Sequence, residues 1–195
     1  MKWMQTRMQA MGLCLGLALA AILPAHAGLE PVFGTCNGTS CLWHEPAVRA
    51  PQGWEFKEAA STRYHARAFA PTGSNFANAT AVMYAKAVPK EGEPASLAAF
   101  MAQDIAGFRA KDPKLQVKTG LSFANGDGRT LQAVQLVPGT GSGVQWETIA
   151  YGEEGKFYLV FALSASGMLE QEAAIPEFRQ MLTTYHAGAT PTAKH

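Results

Sequence analysis

Arg63, His65 and Arg67 stand at alternate positions in the run 62–69, and alternate side chains of an extended strand share one face. Such a row can grip a carboxylate or phosphate, or meet an acidic partner. It can equally be a solvated strand face whose arginines discourage edge-to-edge pairing. Cys36 and Cys41 are separated by Asn37-Gly38-Thr39-Ser40, four turn formers that let the chain fold back and bring the sulfurs together. A catalytic redox pair has two intervening residues at a helix start. The wider spacing therefore reads as a structural disulfide between Cys36 and Cys41, contributing about 2 kcal/mol on chain-entropy grounds. His44-Glu45 adjoins the cysteines, but zinc ligands come as closely spaced pairs at both ends of a site, so no metal site is assigned.

Other chemistry falls away on context. Gly139-Thr140-Gly141-Ser142-Gly143 has the composition of a phosphate-cradling loop, yet such loops lead into a helix whose amides meet the phosphate. Here the next residues read as a strand. Ser164 and Ser166 lack the glycine-flanked elbow of an α/β-hydrolase nucleophile. His65 and His186 are far apart in sequence, and nothing in their spacing joins them to a serine. No catalytic residue and no cofactor motif is assigned. Trp54, Trp146, Phe157, Phe161 and Phe178 fall where a sheet and its helices need filling, and read as core.

The first 27 residues predict the compartment. Lys2 and Arg7 precede the uncharged apolar run 11–23, and Pro24-Ala25-His26-Ala27 ends it with the small-x-small pattern of a leader peptidase site. The run is shorter than the roughly 20 residues that span a bilayer, so a cleaved signal is expected rather than a membrane anchor. Cys14 leaves with the leader, and the apolar run continues well past it, which argues against a lipid anchor there. Beyond the leader, 14 basic residues face 15 acidic ones. That near-neutral balance argues against a nucleic-acid or membrane-surface binder. The expected location is periplasmic or secreted, where a cysteine pair oxidises.

The elements that must position these residues are legible by period. Residues 28–50 are rich in Gly, Pro and Thr and read as an arm. A single domain is expected over 51–186, and 187–195 as a flexible tail. Runs 62–69 and 80–88 alternate and read as two strands. Leu97, Phe100, Met101, Ile105 and Phe108 recur at helical spacing in a helix predicted over 94–111. Strands 115–123, 130–137, 144–151 and 156–163 follow, joined by Gly-rich hairpin signals. The last is apolar on both faces and must be covered on both. A helix over 168–185, broken or bent at Pro176, closes the chain. The expectation is an α/β protein of α+β type, a three-layer α/β/α sandwich around a mostly antiparallel sheet.

This order resembles the fold of the PsbP subunit of photosystem II, a Ran-binding nuclear transport factor and small exported bacterial proteins of unknown function. The residues that carry the resemblance are Pro51-Gln52-Gly53-Trp54, Met83-Tyr84, the Leu97/Phe100/Met101 helix, Asp127-Gly128, Lys156-Phe157-Tyr158-Leu159 and Phe178…Met181-Leu182-Thr183-Thr184-Tyr185. The resemblance implies a sandwich fold and a general binding role. It brings no catalytic residues, since the family shares none, and this chain lacks a long basic tract for docking to a photosystem. The expected function is a soluble exported accessory or binding protein whose partner is another protein or a small ligand. Arg63, His65 and Arg67 are the candidate binding residues. The alternative is a periplasmic hydrolase-type enzyme with a site assembled from dispersed residues.

Overall fold

A computed structural model describes residues 28–36 and 38–188; residues 1–27, where the expected leader and Cys14 fall, Asn37 and the segment 189–195 lie outside the described residues. Seven strands lie side by side in the order β3 (Trp54–Phe56), β4 (Arg67–Pro71), β5 (Ala81–Pro89), β9 (Phe157–Ala165), β8 (Trp146–Glu154), β7 (Thr130–Val137) and β6 (Gln116–Ala124). Every neighbouring pair is antiparallel. The doubly apolar strand β9 is at the centre, as its composition demands.

Each face of β9 has its own cover. Phe157, Leu159, Phe161 and Leu163 join Met83, Ala85 and helix α3 (Met168–Thr183), whose Phe178, Met181 and Leu182 are fully enclosed. On the other face Tyr158 and Ala162 join Val134, Ile149 and Tyr151 beneath helix α2 (Leu97–Lys111). Phe100 of α2 stacks on Tyr158 with ring centroids 4.5 Å apart. The result is the expected α+β sandwich of three layers. The helix starts at Leu97 rather than Pro94 because Ser96 caps it, its hydroxyl accepting from the Ala99 amide at 3.2 Å. Helix α3 runs through Pro176 without ending.

Three expectations are corrected. Residues 62–69 are not one strand. Helix α1 (Glu58–Tyr64) occupies the first part, with Glu58 in its first turn and Arg63 in its last, matching the helix dipole. His65 ends it in the left-handed conformation, φ 49°. The extended chain resumes only at Arg67, so the alternation of Arg63, His65 and Arg67 does not create a row. Thr62 and Tyr64, both strand-favouring, hid a helix that Ala59 and Ala60 favour.

Residues 28–50 are not a loose arm either. Strands β1 (Leu29–Cys36) and β2 (Thr39–Pro46) form an antiparallel hairpin that lies against β5, and Val48 beyond it enters the core on the α3 side. The hairpin escapes a hydrophobic-period reading because the face it turns to the domain carries Glu30, Gly34, Cys36, Cys41 and Glu45 beside Val32 and Trp43. It is seated largely by polar contacts, with Leu29 and His44 adding packing against the core. Gly34 is required there, since a Cβ would stand 2.7 Å from the Trp43 ring. At the other end of the chain, residues 187 and 188 are tied down by amide bonds to Asp127 and Glu154, so the expected tail does not begin at 187.

Candidate functional site

The α1–β4 corner takes His65 and Arg67 inward. Arg67 Nη1 donates to Glu30 Oε2 at 2.6 Å. The His65 ring lies 4.8 Å from that of Trp43, whose Nε1 donates to Glu45 Oε1 at 2.8 Å. Glu45 is buried, and burial raises its carboxyl pKa against the Trp43 bond and the charge of Arg67. Cys36 and Cys41 form the expected disulfide across the hairpin, Cα atoms 5.6 Å apart, and Cys36 Sγ is 3.0 Å from His65 Nε2. The histidine beside the cysteines is therefore His65, brought in from 29 residues away by the fold. His44 turns elsewhere and packs on the Phe157 ring at 4.8 Å.

The three candidate binding residues thus part company. His65 and Arg67 seat the hairpin, and Arg63 stays outside, its guanidinium 5.7 Å from the Tyr64 ring centre. Reducing the disulfide is expected to lower the unfolding free energy by about 2 kcal/mol and to change the emission of Trp43 as its His65 neighbour shifts. Urea melts with and without reductant, read by tryptophan fluorescence, check this; coincident melts contradict it.

Arg63 does border a site, on the other side of the sheet. Helix α2 covers the β7–β9 part of its face and reaches Val88 of β5, leaving β4 and the Val82 end of β5 open. A groove of about 350 Å³ lies there. Its floor is Ala66 of the turn before β4, Ala68 of β4 and Val82 of β5, side chains short enough to give it depth, and Lys86 reaches its margin. Tyr64 and Phe76 wall it off, ring centroids 5.8 Å apart. Beyond that aromatic pair a more open hollow of about 590 Å³ continues past Phe56 and Arg63. Lys57 beside it is occupied by Glu55, 2.5 Å away. Among the described residues, neither Arg63 nor Lys86 has a carboxylate partner.

The inner end of the groove is polar. Tyr84 and Ser164 line it, and Ser164 faces Glu147 in the β8–β9 register. Glu147 is only 7% exposed, and its Oε2 has no hydrogen-bond partner among the described residues. Burial pushes its pKa up to about 8, helped by the charge of Asp104 and opposed by the Ser164 hydroxyl. At neutral pH this carboxyl is predominantly protonated and can donate. Tyr151 donates to Asp104 Oδ2 at 2.6 Å. Burial, with Glu147 and Asp104 adding to it, holds the Tyr84 hydroxyl far above the usual phenol range. Sequence reading missed Glu147, although the signal was present: period two places it with Ile149 and Tyr151 on the face that α2 covers.

The remaining sequence candidates are structurally committed. The Gly139 amide donates to Asp112 Oδ2 at 2.6 Å, so the glycine-rich loop is clamped by a carboxylate and leads into strand β8. That amide bond and the Lys114 amide hold the Asp112 carboxyl below its usual range. His186 Nδ1 sits 2.9 Å from Asp127 Oδ1. Ser164 lies on the groove, whereas His44, His65 and His186 are engaged elsewhere and none lines it. A wider cleft of about 650 Å³ between the hairpin and α3 is bordered by Glu30 and Arg67, which already pair with each other.

No protein-family model matches this chain, and no curated protein matches it. A solved structure similar to it is that of PA94, a protein of unknown function from Pseudomonas aeruginosa, at a TM-score of 0.48 and 10% identity over 83% of this chain and 99% of that one. A likeness at this level assigns neither a family nor an activity.

Proposed function

We propose that this protein is an exported accessory module that binds a segment of a protein partner in the groove beside α2. The observation that carries the reading is the uncovered sheet face at β4 and the Val82 end of β5, where Tyr64 and Phe76 border an apolar floor and Arg63 and Lys86 stand without acidic partners. Exposed aromatic side chains around a depression are what an inserted apolar anchor needs. Free cations at its margins favour an anchor flanked by acidic residues. Ser164, with Glu147 behind it in the β8–β9 register, offers a hydrogen bond at the inner end. Export is supported by the leader pattern and by the Cys36–Cys41 disulfide. The resemblance to PsbP-like sandwiches supports a binding role, because that family's studied members act by binding other proteins.

The test is site-specific photo-crosslinking in the native compartment. A photoreactive residue in place of Tyr64 is expected to capture one reproducible protein. The same residue in place of Leu121, which is exposed on edge strand β6 across the sheet, is expected not to. Equal capture from both positions would sink the groove reading. Absence of the protein from the exported fraction would sink the location.

A further inference from the structure

Gly28 is the first residue after the predicted peptidase site, and it is buried. Its amide nitrogen donates to the His186 carbonyl at 2.6 Å, and its own carbonyl accepts from the Ala47 amide at 2.9 Å. Its φ of +87° is a conformation that favours glycine. A Cβ at this position would meet Glu154 Oε1 at 2.5 Å and the Gly188 nitrogen at 2.8 Å. The Glu154 carboxyl therefore lies directly against the main chain of residue 28. It is held there by the Tyr185 hydroxyl on Oε2 and by the Gly188 amide on Oε1 at 3.0 Å. His186 is fixed in turn by Asp127, which also accepts the Ala187 amide at 2.7 Å.

What this cradle lacks is a positive charge. Among the described residues no Lys, Arg or His pairs with Glu154, and a part-buried carboxylate without a cation is costly. We infer that the leader is cut between Ala27 and Gly28, and that the α-ammonium so released is the missing cation, docked between the Glu154 carboxylate and the His186 carbonyl. Hydrolysis of the 27–28 peptide takes up one water, leaving a carboxylate on Ala27 and an amine on Gly28. That amine is protonated below its usual pKa of about 8. Processing would thereby complete the fold, tying the new N-terminus to the end of β8 and to the segment after α3. This inference rests on the export reading above.

Two preparations of the protein separate the possibilities. One begins at Gly28, released by a protease that leaves no extra residue, and the other retains Ala25-His26-Ala27 ahead of it. The Gly28 form is expected to melt about 3 °C higher at pH 7. An ammonium that gains a partner has its pKa raised in the folded state. The advantage is therefore complete below about pH 8 and disappears as pH rises through the folded value. Glu154→Gln, which also weakens the Tyr185 and Gly188 bonds in both forms, should lower the Gly28 form more than the extended form and remove the difference between them. Coincident melts of the two forms at every pH, or an equal effect of Glu154→Gln on both, would overturn the dock whatever the protein's location. Intact mass of the exported protein should correspond to a chain starting at Gly28. A different start overturns the cleavage assignment, and retention of the leader overturns the export reading itself.

Discussion

Glu147→Gln is expected to make the protein more stable than the wild type at alkaline pH by roughly 3–5 kcal/mol, and to leave it nearly unchanged at pH 4. In the unfolded chain the carboxyl ionises near its ordinary value of 4.5, whereas in the folded protein burial beneath α2 moves it to about 8. Between those values folding takes up a proton. Wild-type stability therefore falls as pH climbs from about 4.5 to about 8 and levels off on either side. Glutamine keeps the shape and the hydrogen-bonding capacity toward Ser164 but has no charge to desolvate, so the slope disappears. Other titrating groups contribute to both proteins alike, and the difference between the two curves isolates this one carboxyl. Urea midpoints measured from pH 4 to 9 check it. Parallel curves would show that Glu147 ionises in the folded state without cost.

Val82→Trp is expected to abolish partner binding while leaving the fold intact. Val82 lies on the floor of the groove and is partly exposed, so a larger ring extends into the groove rather than into the core. Its β5 neighbours Met83 and Ala85 point to the opposite face and keep their packing under α3. Losing the seat of a central apolar anchor costs about 2 kcal/mol or more, roughly thirtyfold in affinity. Circular dichroism and the thermal midpoint should stay at wild-type values. Loss of binding together with loss of fold would leave Ala68→Ser, which changes the floor at nearly constant volume, as the comparison that separates the two effects.

The strands and long helices were legible because their side chains obey simple periods. Thr130–Val137 is read to the residue, and β9 at the centre follows from its two apolar faces. The Cys36–Cys41 disulfide followed from turn chemistry and from the pair that remains once Cys14 is assigned to the expected leader. What stayed hidden was set by polar contacts made at long range. The β1–β2 hairpin is seated by Glu30 on Arg67 and His65 on Cys36, pairs separated by 37 and 29 residues. Helix α1 is short, and its strand-favouring Thr62 and Tyr64 concealed it; with it went the supposed row of Arg63, His65 and Arg67. The groove was invisible for a different reason. It exists where α2 is absent, and no residue type announces an uncovered face.

The most direct measurement is the photo-crosslinking yield from position 64 in the native compartment, quantified side by side in the wild-type protein and in Val82→Trp. A segment seated in the groove requires a single protein adduct in the wild type and a drop of tenfold or more in the variant, at equal abundance and equal melting temperature. An adduct of the same identity and yield in both would place the partner elsewhere on the surface and contradict the groove as the binding site.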